Sequence, residues 1–365
     1  MNFDLPESHR EIQRMVRELG ARLVAPHARS WDEAGVLPTA ILADLAAQGL
    51  LAVRAPDAYG GSGLDALALT LVVEELARYH GSLAYAVAAH NGLGVAHLAL
   101  AGSDALRERT LPGSASEDGL VAWLDDGVMA KRAGDGWTLH GTAPRVVLGA
   151  TARRIVVAAR TVEGPTAFVV DRDAVGLRVS RRVETLGMRA CESSDLSFEA
   201  CAVADDARVG EVGAAADATV RVRAGYDLAL AALAVGCGQG ALDAAVAYAK
   251  DRKQFGQPIA NFQAIQWMLA DARVELDAAR LLVQRAAATD DAGGDARIES
   301  ATARLYASEA ASRACSRALQ VHGGYGYTRE FPVERHLRDV KVCELGDGGN
   351  AGRRAVVAAT ARPTA

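Results

Sequence analysis

The most pointed chemical feature of this chain is a carboxylate set inside a glycine run. Gly346-Asp347-Gly348-Gly349 interrupts a helical pattern and leads into Asn350 and a further helix. Glycine permits positive φ and lets another molecule approach the backbone. Asn350 suits a helix N-cap, so the loop would end at free N–H groups. An ionised Asp347 there can face a ligand and accept a proton, although the residues alone favour an ordinary solvated turn. A second break, Gly323-Gly324-Tyr325-Gly326, offers close backbone approach again. Further upstream Arg252 stands at a helix end with Gln254 and Phe255. Its planar fork of donors can hold a diphosphate, or simply pair with Asp251. His90 and Asn91 interrupt an apolar helical run, as satisfied core groups or as the lining of a ligand cavity. Glu74 and Glu75 read as a solvated or ion-paired helix face.

Helices must position most of these groups. Apolar spacing predicts helices over 7–26, 40–51, 66–79 and 83–101, with the loop APDAYGGSGLD between the second and third. From Leu120 the pattern changes to short β-rich runs such as RIVVAAR, TAFVVD and LSFEACAV, split by GDG and EGP turns. That region spans about ninety residues, the size of one small domain. It has no βαβ alternation and no GxGxxG after a strand, which excludes a Rossmann domain. Helical pattern returns from Ala214, with Gly236, Gly238 and Gly240 in an Ala/Leu-rich run that implies close helix packing. A polar break is expected at 286–294.

The chain has 365 residues and a formal charge of −5, and half of its residues are hydrophobic. Its length suits two or three domains, and nothing in it is a polybasic footprint for nucleic acid. No run of 18 or more apolar residues stands out, and the polar start MNFDLPESHREIQ is unlike a secretory signal, so a cytoplasmic protein is expected. The five cysteines, Cys191, Cys201, Cys237, Cys315 and Cys343, form no CxxC, and the eight histidines form no HExxH. Buried reduced thiols and no metal site follow.

Several long stretches resemble the acyl-CoA dehydrogenases, flavin enzymes that desaturate acyl thioesters. They are QVHGGYGYTREFPVERHLRD with the aligned GDGG loop, DRKQFGQPIANFQAIQWMLADARVELDAARLL, the PxxYGGxGL-type loop, and ETLGMR at 184–189. The likeness covers the whole chain in order. It implies an α+β multi-domain fold: an N-terminal helical domain (1–117), a middle β-barrel or sandwich domain (118–213) and a C-terminal four-helix bundle (214–365). It implies FAD as cofactor, and Asp347 in the place of the family's glutamate base, one methylene and roughly 1.5 Å shorter. It carries FAD contact to Arg252, Gln254, Phe255 and Gln263, with Arg252 reaching the diphosphate of a neighbouring subunit. Gln320, Gly323 and Gly324 take the complementary role. A homodimer or homotetramer and an electron-accepting flavoprotein or other carrier are implied as well.

The chain departs from the family at informative places. Gly349 stands where threonine is common, and Leu124 and Val147 replace hydroxyl residues beside the flavin, so backbone groups would have to serve there. Trp123 and Trp137 read as core. The alternative glutamate site of some members falls near Tyr226 and Asp227, with no glutamate present. Glu344 is a fallback base. An arginine of the substrate-pocket region in fatty-acyl relatives is replaced by Asp227, with Arg223 one turn earlier. With Tyr226, His90 and Asn91, these suit a small or polar acyl group. The resemblance extends to a branch that oxidises hydroxyacyl groups on an acyl carrier protein for polyketide extender units. Two other readings stay open: a non-catalytic partner subunit, and a flavin-dependent oxygenase on the same scaffold.

Overall fold

Helices open and close the chain, and a sheet fills the middle. The computed structural model describes residues 4–361. Residues 1–3 and 362–365, the outer ends of the first and last expected domains, lie outside the described residues. α1 (Glu7–Leu19) buries Val16 and Leu19 and passes into a π-helical turn, Gly20–Val24. α2 (Ala28–Ala34) and α3 (Thr39–Ala47) follow. α4 (Ala66–Tyr79) starts at Asp65, whose carboxylate accepts from Ala68 N–H at 2.8 Å. A distant carboxylate, Asp291, accepts from Ala66 and Leu67 N–H at 2.6 and 3.1 Å. Together they satisfy donors that a first helical turn leaves unpaired. α5 (Gly81–Ala89), a π-helical turn (His90–Val95) and α6 (Ala96–Ala101) form a buried rod. α7 (Asp104–Ser114), capped by Ser103, completes the set.

The sheet has eight strands: β1 (Val121–Leu124), β2 (Val128–Ala133), β3 (Gly136–Val147), β4 (Arg154–Thr161), β5 (Gly164–Asp171), β6 (Leu177–Arg182), β7 (Ser193–Ala204) and β8 (Arg208–Val209). They run in the order β6-β7-β3-β2-β4-β5-β8, and β1 pairs with β4 in parallel off that path. The β3–β7 register shifts between Ala143 and Val146. Arg145 sits in that irregularity with φ 54°, a local re-aiming of the strand end typical of bulges.

α8 (Ala215–Asp251) is the axis of the closing bundle. A short hairpin, β9 (Lys253–Gln254) and β10 (Gln257–Pro258), turns it into α9 (Gln263–Asp291). α10 (Arg297–His322), α11 (Val333–Leu345) and α12 (Gly349–Ala358) follow. The glycines of α8 are packing sites as expected. A Cβ on Gly236 would run into Glu74 O of α4, and one on Gly238 would lie 2.6 Å from Leu276 Cδ2 of α9.

Several local expectations change. α9 runs on through 286–291, because Ala286 and Ala287 are buried and Asp291 is held at the start of α4; the break falls only after Asp291. Asn350 lies inside α12 and caps nothing: its Oδ1 accepts from Ser308 Oγ and its Nδ2 faces Glu309. Glu74 and Glu75 are ion-paired but buried, against Arg280 and Arg17. Gly81–Ala101 and α8 do reach the length and hydropathy of a membrane span, yet 83% and 78% of their most apolar windows are buried inside the fold. All five cysteines are free and buried, and no metal-binding cluster exists among the described residues.

Candidate active site

Asp347 occupies the tight connection between α11 and α12. Three residues in succession take left-handed φ: Asp347 (51°), Gly348 (79°) and Gly349 (57°). Aspartate is one of the few side chains that tolerates this region. Gly349 is demanded by the loop itself, since a Cβ there would lie 2.8 Å from Glu344 O. The residue that stands in for the family's threonine therefore closes the turn.

The Asp347 loop forms one wall of a cavity of about 460 Å³ between the sheet and α11. Tyr85 of α5, Arg145 and Val147 of β3, Met188, and Arg338 and Lys341 of α11 line the rest. Sequence reasoning missed Tyr85, Arg145 and the two α11 cations. Tyr85 lies in an apolar helix with no signal of its own, but ETLGMR pointed to the right wall. That segment docks on α11: Met188 N–H donates to Asp339 Oδ1 at 2.6 Å, and a Cβ on Gly187 would run into the Arg338 backbone. Two motifs noticed separately in the sequence are thus one contact.

Tyr226 of α8 sits behind Tyr85, 2% exposed, and its phenol interacts with that of Tyr85. Burial, and then nearby charge including that of Asp347, pushes both phenols above the ordinary tyrosine range. They remain protonated donors near the carboxylate. Glu344, the fallback base, pairs with Lys341 at 3.2 Å and opens to a separate cleft with Glu309 and Arg313.

A second cavity, about 510 Å³, lies where α8 and α10 end. Arg252, Gln254, Gln320, His322, Gly323 and Gly324 line it. Among the described residues Arg252 makes no salt bridge; its guanidinium lies 5.7 Å from the centre of the Tyr325 ring. A Cβ on Gly323 or Gly324 would meet no protein atom within 4 Å. The bare backbone is therefore open to a ligand and serves no packing need. His322 Nδ1 donates to Ala318 O at 2.8 Å, and its buried Nε2 has no partner. Burial lowers its pKa and keeps it neutral, with Nε2 as an acceptor. A cationic fork, two amides, open backbone and an acceptor nitrogen fit the diphosphate and nucleoside portions of FAD. Phe255 is 93% exposed with φ 51°, and Gln263 is exposed in the first turn of α9; neither lines this cavity.

Other expected site residues are placed differently. His90 is wholly buried: its Nε2 bonds Ser114 O at 3.0 Å and its Nδ1 accepts from Val121 N–H at 2.9 Å. Asn91 accepts from Val53 N–H at 2.8 Å and donates to Leu50 O and Val87 O. Both spend their polar atoms tying the π-helical turn to neighbouring backbone, so they are core residues with nothing left for substrate. Asp227 is buried between Arg304 and Arg353 and does not face the cavity. Arg223 is held by Asp125 through two 2.6 Å bonds, above the Trp123 ring. Leu124 is buried, and β1 pairs only with β4, so its other edge remains for backbone contacts. Trp137 is core, and Trp123 bonds His97.

Known proteins match this architecture along its length. Residues 6–118, 123–201 and 228–361 match the acyl-CoA dehydrogenase N-terminal, middle and C-terminal domains in that order. A probable acyl-CoA dehydrogenase of Mycobacterium tuberculosis is 38% identical over 372 residues, covering 97% of this chain and 95% of that protein. The mitochondrial short-chain specific acyl-CoA dehydrogenase of Bos taurus is 32% identical, covering 98% and 90%. Butyryl-CoA dehydrogenase from Megasphaera elsdenii superimposes with a TM-score of 0.95 at 29% identity, covering 99% of this chain and all of that one. With its three domains matched in order, the chain belongs to the acyl-CoA dehydrogenase family of FAD-dependent oxidoreductases acting on acyl thioesters.

Proposed function

We propose that this chain oxidises a short, polar acyl or hydroxyacyl thioester, with Asp347 as the base. The observation that carries the reading is the position of Asp347 in the wall of a 460 Å³ cavity, with two buried phenols near it. FAD, when bound, supplies the two-electron acceptor that no side chain provides. Asp347 removes the α-proton of an acyl group, or the hydroxyl proton of a hydroxyacyl group. Tyr85, with Tyr226 behind it, supplies a donor to a polar acyl end; an alkyl chain there would leave that hydroxyl without a ligand partner. Arg145, which makes no salt bridge among the described residues, suits the phosphate of the thioester's carrier arm.

The finer reading places the acyl group on an acyl carrier protein during polyketide extender-unit assembly, and it rests on sequence likeness. The names of the two relatives above, at 38% and 32% identity, favour coenzyme A instead. Electrons pass on to a flavoprotein or another carrier. A structural neighbour with TM-score 0.97 and 29% identity comes from work on the electron transferring flavoprotein of Acidaminococcus fermentans. The two cavities share no lining residue, and Phe255 is exposed and lines neither. A homo-oligomer in which one copy's Arg252 and Phe255 meet the cofactor of another accounts for both.

The test is an anaerobic visible spectrum of the purified protein, followed by small acyl and hydroxyacyl thioesters on CoA and on carrier protein. Bleaching of the flavin by one thioester supports the reading and identifies the carrier. A flavin that no thioester bleaches, but that consumes oxygen rapidly once reduced, favours the oxygenase. A protein that cannot be reconstituted with FAD leaves only the partner-subunit role.

A further inference from the structure

We infer that Asp227, Arg304 and Arg353 form a buried clamp that positions Asp347 by holding the backbone on either side of it. The inference rests on Asp347 being the base. Arg304, from α10, is fully buried. Its Nε donates to Cys343 O at 3.1 Å, its Nη2 to Gly346 O at 2.6 Å, and its Nη1 to Asp227 Oδ1 at 2.7 Å. Arg353, from α12, donates through Nη1 to Asp347 O, and through Nη2 and Nε to the two oxygens of Asp227. The carbonyls on the two sides of the Asp347 Cα are thus gripped from two helices. The Asp227 carboxylate, from α8, locks the two guanidinium forks to each other. None of the three lines the cavity, so they act through Asp347 and are positioning residues.

Two further observations give the clamp a purpose beyond stability. Asp347 is held at φ 51°, a region that aspartate tolerates better than most side chains, and the bonds to the Gly346 and Asp347 carbonyls fix it there. The clamp also carries two positive charges against one negative. The other charged and titratable groups around Asp347 are neutral or paired, apart from Arg145. Tyr85 from α5 and Tyr226 from α8 are neutral phenols. Arg223 is matched by Asp125, Lys341 by Glu344, and Arg338 by Glu334 and Asp32. Arg145 of β3 is the remaining cation lining the cavity.

The test compares Arg353→Gln, Arg353→Lys and Asp347→Asn in the FAD-bound enzyme, by steady-state kinetics, anaerobic flavin reduction and amide exchange over 343–350. Arg353→Gln is expected to lower kcat by about 10- to 100-fold with KM changed less than about threefold. Arg353→Lys keeps the charge and loses the fork, so kcat falls there as well. Amide exchange over 343–350 rises in both. Wild-type kcat and exchange in the Arg353 variants, with activity lost in Asp347→Asn, overturn the clamp and leave the base intact. Full activity in Asp347→Asn overturns the base and the clamp with it. If Arg353→Gln fails to fold, Arg353→Lys decides: wild-type kcat and exchange there overturn the clamp.

Discussion

Two glycine breaks at helix ends carry the candidate chemistry, and they are built in opposite ways. The Gly346–Gly349 turn is filled from within: Gly349 packs on Glu344 O, and the carbonyls of Gly346 and Asp347 are taken by Arg304 and Arg353. The Gly323–Gly324 break is open, with no protein atom near either missing Cβ and an unpartnered acceptor on His322 beside it. In sequence both read as the same signal. Glycine announces a close approach, but only the fold says whether the approaching group belongs to the protein or to a ligand.

The strongest way to break this contrast is at Asp347. Asp347→Asn should lower flavin reduction by about 10²- to 10⁴-fold, while the flavin absorbance of the purified protein stays; loss of the bound flavin instead would mean that the filled turn also holds cofactor. Next in size is Asp227→Ala, which strands two buried arginines. Chemical denaturation should show about 3–5 kcal/mol of lost stability. On the open side, Arg252→Gln should weaken FAD binding by roughly 1.5–3 kcal/mol, the range for a hydrogen bond to a charged group. The stability of the cofactor-free protein should shift by less than about 0.5 kcal/mol; a larger shift would show that the open rim is structural after all.

A pH effect separates the core from both loops. Burial pushes His80 down to about 3 and His90 and His97 to about 4. Each is neutral when folded but protonates below about 6.5 when unfolded. Their contribution is complete above that pH and is lost as pH falls, by up to about 1.4 kcal/mol per unit per histidine. Asp339 works in the other direction. Burial raises it to about 6, so the stability it withholds above that pH returns as pH falls towards the ordinary aspartate range. Urea unfolding at pH 7.5 and 5.5 should therefore show a net acid loss, equal in wild type and in Arg252→Gln. An acid-stabilised protein would contradict the buried neutral histidines.

Residue types and their order in the chain were enough to expect the helix–sheet–helix plan, because 3.6-residue and two-residue periodicities report which face is buried. The two glycine breaks stand out by their missing side chains, but the roles of Asp347, Arg252 and Gln320 came from the family resemblance, because the residues alone read equally well as a solvated turn and surface groups. The role of His90, Asn91 and Asp227 was decided only by tertiary structure. A polar residue in an apolar helix looks the same whether its partner is substrate, a neighbouring carbonyl or an arginine from another helix. Asp227 meets its partners 77 and 126 residues away, and Tyr85 meets the cavity only once α5 packs under the sheet and α11. Hydrogen-bond satisfaction is a property of the folded neighbourhood, so local sequence cannot assign it.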